Sequence, residues 1–392
     1  MAKRMTQDGA ADYVCIARRH WLLGAGSVAA LSVRAASAMA APTAAKQTAA
    51  TQNADSSGLQ VRVNVSLNES PYGPSPQVAQ VLRSNVDRVE RYVGNEASAL
   101  IRQIALLERV HEQHVVLGEV LEPLGLHLGL SGGPGGEFLY SAPGYTALVD
   151  AAQPVGGVGI GIALNDKLEN DLTGFRSNVS RRTRAVFLVN PHNPSGTMSE
   201  AQGFKNFVSE LAKQTLVVVD EAYLEYTENF AARTVADRVR AGENVIVFRT
   251  FSKIHGLAGL PLGYVLAPAT LAETLRKRGV GNPRSLNRLS VLAASASLSD
   301  PDHVAKVRGK VSIERARWRE VLQELKLRYS DAHANFVFFE SKKPQAEIAA
   351  ALAADGIDIG RAYPPLTNWT RISIGLPAEN RLVHNALRKV LG

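Results

Sequence analysis

A chain of 392 residues, 45% of them hydrophobic and 20% charged, carries enough apolar material for a large buried core, which excludes a disordered or fibrous protein and suggests two or three domains. Its formal charge of +8 is spread along the sequence, and the local grouping Arg176, Arg181, Arg182 and Arg184 lacks interleaved aromatics, so it reads as solvated surface and not as a nucleic-acid footprint. The only cysteine, Cys15, falls in a leader segment, so disulfide, redox and cysteine-nucleophile chemistry drop out for the mature protein.

Residues 1–40 are expected to form an export signal. A polar start with Lys3 and Arg4 leads to Arg18-Arg19-His20, then an apolar and small-residue run from Trp21 to Val33, and Ala38-Met39-Ala40 fits a cleavage site after Ala40. Paired arginines before bulky apolar residues resemble a twin-arginine signal, which carries folded, cofactor-loaded proteins across a bacterial inner membrane. An ordinary basic leader, or a chance pair in a cytoplasmic protein, is the alternative. Arg34 ends the apolar run, too soon for a stable membrane anchor. Residues 41–58, rich in Ala, Thr, Gln and Ser, are expected to be a disordered linker, with folding beginning near Leu59.

From there short β-branched runs alternate with longer helical stretches, the pattern of an α/β protein with a mostly parallel sheet. Three strands stand out: Ala185–Val189, Leu216–Val219 and Asn244–Phe248. Each runs into polar residues: Asn190-Pro-His-Asn193-Pro, Asp220-Glu-Ala-Tyr223 and Arg249-Thr-Phe-Ser-Lys253. The carboxyl ends of strands are where an open α/β sheet holds its ligand. Gly132-Gly-Pro-Gly-Gly136 lacks the strand-to-helix context of a nucleotide loop and reads as a plain loop. A long helical stretch over Ser290–Leu327 follows, then strands at Asn335–Phe339 and Thr370–Ile374. They suggest a smaller α+β domain of residues 285–392, joined by an N-terminal segment 59–98 and set against a large domain of residues 99–284.

The strand-end residues match what a pyridoxal 5′-phosphate (PLP) site needs: an amine, a carboxylate for the pyridine nitrogen, donors to the phenolate oxygen and contacts for the phosphate. Lys253 is a candidate amine, although a surface lysine in a loop is the plain alternative. Asp220 ends an apolar strand, where an unpaired carboxylate is costly, so it calls for a cationic partner: a pyridinium, a structural salt bridge or a helix terminus. Tyr223 and Asn193 are suited to the phenolate oxygen, and the hydroxyls of Thr250 and Ser252 to the phosphate. No metal-ligand cluster is expected.

Asn190-Pro-His-Asn-Pro-Ser-Gly196, Asp220-Glu-Ala-Tyr223 and Thr250-Phe-Ser-Lys-Ile-His-Gly-Leu-Ala-Gly259, in this order and spacing, resemble the fold type I aminotransferases of class I/II. Within them the chain is most similar to histidinol-phosphate aminotransferases, which Leu67-Asn-Glu-Ser-Pro-Tyr-Gly-Pro74 and Arg371-Ile-Ser-Ile-Gly375 also match. The resemblance covers roughly Leu59 to Gly392. It implies the PLP-dependent transferase fold, with a mostly parallel large-domain sheet and a smaller α+β domain. It also implies Lys253 as Schiff-base lysine and proton carrier, Asp220 at the pyridine nitrogen, Asn193 and Tyr223 at the phenolate oxygen, and Tyr145 stacked on the ring. Tyr92 would reach the cofactor phosphate of a neighbouring subunit, which implies a homodimer. Arg371 would grip the anionic end of the substrate, with Arg361 and Tyr72 at a substrate phosphate.

Two positions depart from the family pattern. An arginine is usual eight residues after the Schiff-base lysine; here that position is Pro261. Where the family has small residues opening a phosphate-cradling helix, this chain has Gly118-Glu-Val-Leu-Glu-Pro123, with Glu119 adding negative charge. Either PLP is expected to bind less tightly, or another group such as Arg284 or His255 supplies the missing positive charge. The resulting expectation is a PLP-dependent aminotransferase acting between an amino acid or amino alcohol phosphate and a 2-oxo acid. A PLP decarboxylase or lyase, and a non-catalytic ligand-binding relative, are the alternatives. Histidine biosynthesis is ordinarily cytoplasmic, so an export signal favours a specialised role.

Overall fold

The computed structural model of the chain describes residues 61–392. The expected export signal (1–40), the linker (41–58) and the start of folding at Leu59 lie outside the described residues. Among the described residues no helix is long and apolar enough to cross a membrane.

The strands are β1 (Val63–Val65), β2 (Val115–Leu117), β3 (Glu137–Ala142), β4 (Val158–Ala163), β5 (Thr183–Val189), β6 (Leu216–Asp220), β7 (Val245–Thr250), β8 (Gly263–Leu266), β9 (Phe336–Glu340), β10 (Ile357–Ile359) and β11 (Trp369–Ser373). Seven of them form one sheet in the order β2-β8-β7-β6-β5-β3-β4, in which β8 alone runs against its neighbours. The strands β5, β6 and β7 are apolar without alternation because both faces of the sheet are covered. Val186, Leu188, Val217, Val219, Val245 and Val247 face one core, which also takes Phe204, Phe207, Val208 and Leu211 of helix Ala201–Ala212. The residues between them, Phe187, Val189, Val218, Ile246 and Phe248, face a second core with Leu124 of helix Leu121–Leu130 and Leu148 of helix Ala147–Ala152. Those two helices lie so close that a Cβ on Gly125 would strike the Leu148 carbonyl.

A further core gathers around Trp318, Phe336, Phe339, Ile348 and Val383, beneath the antiparallel pair β9–β11 and the parallel pair β1–β10. Through β1 the start of the described chain pairs with residues almost 300 positions later, Val63 with Ile357. The expected single helical stretch from Ser290 to Leu327 is two helices, Arg288–Leu298 and Pro301–Glu324. Pro301 has no N–H to continue the first, and Asp300 caps the second by accepting from the His303 N–H at 3.2 Å. Val291, Ala293 and Ala294 of the shorter helix join the core of the large sheet, whereas Val304, Val307 and Val311 join the later one. The chain therefore passes from one core to the other at this break.

Of the basic grouping, Arg176 pairs with Glu210, Arg182 with Glu137, and Arg184 donates to the Gly132 carbonyl at 2.9 Å, against the glycine-rich loop.

Candidate active site

Five parallel strands of the large sheet, β2, β3, β5, β6 and β7, end on the same side, and β1, β10 and β11 close over them. Between them lies a cleft of about 1060 Å³. Its floor carries Glu119 after β2, Tyr145 after β3, Asn193 after β5, Asp220 and Tyr223 at β6, and Thr250, Ser252 and Lys253 at β7. Its roof carries Ser66, Leu67 and Asn68 after β1, Arg361 and Tyr363 after β10, and Arg371 on β11.

Asp220 is only 3% exposed and enters no ion pair among the described residues. One carboxylate oxygen accepts the Ala222 N–H at 2.9 Å. Burial pushes its pKa up to about 7, against the opposing pull of that N–H and of the Lys253 charge. Such a carboxylate is short of a cationic partner, which a protonated ring nitrogen supplies.

Lys253 donates from Nζ to the Leu67 carbonyl at 3.1 Å and lies 5.7 Å from the centre of the Tyr223 ring. The Tyr223 hydroxyl accepts from Asn68 Nδ2 at 3.2 Å, and its ring meets Phe336 edge-on. Asn68 holds a left-handed backbone (φ 56°), which asparagine tolerates better than most residues. It is tied down further by Ser373 and Asn335.

Arg371 is 7% exposed and bound from two sides: Nη1 donates to Asn193 Oδ1 at 2.8 Å and Nη2 to the Ser66 carbonyl at 2.6 Å. Its Nε is buried without a partner among the described residues, so the guanidinium keeps donor capacity for an anion. The Tyr363 ring lies 5.3 Å from the Arg371 guanidinium and 4.7 Å from that of Arg361. Tyr145 is half-exposed over the floor, and burial first, then the Asp220 charge, holds its hydroxyl protonated well above the usual tyrosine range. Thr250 Oγ1 donates to the Leu262 carbonyl at 3.4 Å and accepts the Ser252 N–H at 3.1 Å.

Nine of the residues singled out from the sequence thus line one cleft: Tyr145, Asn193, Asp220, Tyr223, Thr250, Ser252, Lys253, Arg361 and Arg371. Two do not. The Tyr72 ring packs on the third core, 4.9 Å from Lys310 Nζ, and Tyr92 is 77% exposed. Neither candidate for the missing positive charge reaches the cleft either. His255 is held between Ser297 Oγ (2.7 Å) and Glu225 Oε1 (3.3 Å), and Arg284 is exposed on a turn. Sequence reasoning missed Asn68 and Tyr363 as site residues. The first sits inside the quoted Leu67–Pro74 segment and was open to notice; Tyr363, two residues after Arg361, carried no comparable signal.

A family model described as aminotransferase class I and II matches residues 61–387. The chain belongs to this family. It is 32% identical over 330 residues to a histidinol-phosphate aminotransferase of Limosilactobacillus fermentum, covering 82% of this chain and 89% of that one. To the histidinol-phosphate aminotransferase of Moorella thermoacetica it is 32% identical over 342 residues, with 85% and 86% covered. Among solved structures, the histidinol-phosphate aminotransferase of Sinorhizobium meliloti in complex with pyridoxal-5′-phosphate superposes with a TM-score of 0.76 at 29% identity, covering 84% of this chain and 91% of that one. The chain is an enzyme of the aminotransferase class with the corresponding α/β fold.

Proposed function

We propose that this aminotransferase moves an amino group from an amino acid or amino alcohol phosphate, with histidinol phosphate the first donor to try, to a 2-oxo acid such as 2-oxoglutarate. Its cofactor is pyridoxal 5′-phosphate. The observation that carries the reading is the meeting of Lys253, Asp220, Tyr223, Asn193 and Arg371 in one cleft. When bound, PLP supplies an aldehyde for amine exchange and an electron-poor ring that stabilises negative charge on the substrate carbon. Asp220, the buried carboxylate short of a cation, would hold the proton on the pyridine nitrogen. Tyr223 and Asn193 would hold the phenolate oxygen, and Tyr145 would cover the ring. Thr250, Ser252 and the N–H groups opening helix Leu121–Leu130 would hold the phosphate.

Arg371, braced by Asn193 and Ser66, orients the anionic end of the substrate. Arg361 stands beside it for a substrate phosphate. The Lys253 amine takes the proton from the substrate carbon and returns it at the accepting carbon, a general-base then general-acid role. In this reading Tyr92, outside its own chain's cleft, serves the cleft of a second copy in a homodimer. The Arg18-Arg19 leader sends the folded enzyme across the inner membrane; residence in the cytoplasm is the alternative. A panel of amino donors with 2-oxoglutarate tests the reaction class. Glutamate formation supports transamination, whereas carbon dioxide release or elimination without glutamate selects the lyase alternative.

A further inference from the structure

The cationic side chains that line the cleft are Lys253, Arg361 and Arg371, and the two arginines belong to its roof. On the floor, β2 and β7 flank β8 on either side: the Gly118 N–H donates to the Gly263 carbonyl at 2.9 Å, and Thr250 pairs with the same Gly263. Glu119, the residue after Gly118, therefore emerges at the same end of the cleft as Thr250 and Ser252. Here helix Leu121–Leu130 begins with Val120 at its N-cap, which offers no side-chain acceptor, and with Pro123 lacking an N–H in the first turn. The backbone donors of this first turn have no side-chain cap, and the charged side chains beside them are Glu119 and Glu122, both exposed in the lining of the cleft. Pro261 is exposed and brings no charge.

We propose that Glu119 sets how weakly this enzyme holds the phosphate of its cofactor: ionised, it opposes the phosphate across the helix N-terminus, and protonated it donates a hydrogen bond to it. The titratable groups of the cleft electrostatically coupled to Glu119 are Glu122 on the helix that follows it, Lys253 after β7, Asp220 on β6 and Tyr145 after β3. Partial burial in the cleft wall and the Glu122 charge push the Glu119 carboxyl above its ordinary range, while Lys253 pulls the other way. A phosphate dianion arriving at the helix N-terminus pushes it up further.

The inference rests on the cofactor assignment and is independent of the amino donor. The test measures equilibrium binding of PLP and of pyridoxal, which lacks the phosphate, to the apo form of the full chain, its Glu119→Gln variant and its charge-conserving Glu119→Asp variant, from pH 6 to pH 9. The expected result is PLP binding tightened on the order of tenfold by Glu119→Gln at the alkaline end, with the gain shrinking at the acid end. The affinity for pyridoxal, which shares any effect of Glu119 on Lys253 but lacks the phosphate, changes far less than that for PLP, and Glu119→Asp stays with wild type. A PLP-to-pyridoxal affinity ratio unchanged by Glu119→Gln, or raised equally by Glu119→Asp, overturns the proposal. Failure of wild type to bind either compound overturns the cofactor assignment along with it.

Discussion

Asp220 shows how one residue links burial and charge. Its carboxyl titrates near 7 in the folded apoprotein because it is buried, against an ordinary value of 3.8. A carboxyl with a raised folded pKa keeps its contribution to stability below about pH 4 and loses it as the pH climbs through about 7. Asp220→Asn, which cannot ionise, is therefore expected to gain stability relative to wild type between pH 5 and pH 8 in the apo form. If Asp220 holds the ring nitrogen as proposed, the order reverses in the PLP-loaded form, since wild type alone can pair with a protonated ring. Melting temperatures of both proteins, apo and loaded, at the two pH values check this. An apo difference that does not change with pH assigns the raised carboxyl elsewhere.

At the scale of elements, β6 and β7 place their reactive residues by alternation. Asp220 and Thr250 line the cleft, and their chain neighbours Glu221 and Arg249 point into the protein and pair with each other at 2.9 Å. Arg249 also pairs with Glu108 and donates to Thr234 Oγ1 at 2.7 Å, and its guanidinium lies 4.5 Å from the Phe230 ring. This buried network braces the two strands directly behind the site. Arg249→Met leaves Glu108 and Glu221 buried without a cation and is expected to lower stability by about 3–5 kcal/mol. Denaturant unfolding with and without PLP measures it, and a loss below about 1 kcal/mol contradicts the bracing role.

Much of the floor of the site was legible in the sequence, because each of its groups follows an apolar strand within a few residues and strand ends of a parallel sheet converge. That rule singled out Asn193, Asp220 and Lys253 as candidates, while their separate roles came from the resemblance to the aminotransferases. The roof was harder. Arg371 meets Asn193 across 178 residues and Ser66 across 305, contacts that no local pattern encodes. The break at Asp300-Pro301 was readable from capping chemistry, yet the helical periodicity on either side hid it.

For the whole molecule, Tyr92 and the nearby Val86 and Val89 are exposed and take no part in lining their own cleft, and large apolar side chains left exposed are candidates for burial against a second copy. If each site takes Lys253 from one subunit and Tyr92 from the other, two inactive variants can complement. Lys253→Ala and Tyr92→Ala homodimers, each inactive or weak, are expected to regain up to about a quarter of wild-type specific activity when unfolded together and reassembled, because a mixed dimer keeps one intact site. Activity no higher than the average of the two separate variants means that the sites are complete within single chains.

The central claim, that Lys253 carries out amino transfer in this cleft, is tested most directly by a half-reaction. PLP-loaded wild type and Lys253→Ala are mixed with each of a panel of amino donors, histidinol phosphate first, without any 2-oxo acid, and the cofactor is then released by acid and analysed for amination. The account predicts up to one aminated cofactor per wild-type chain and almost none in the variant within the same time. Cofactor that binds to wild type and stays unaminated with every amino donor, or amination at equal rates in the two proteins, would contradict it.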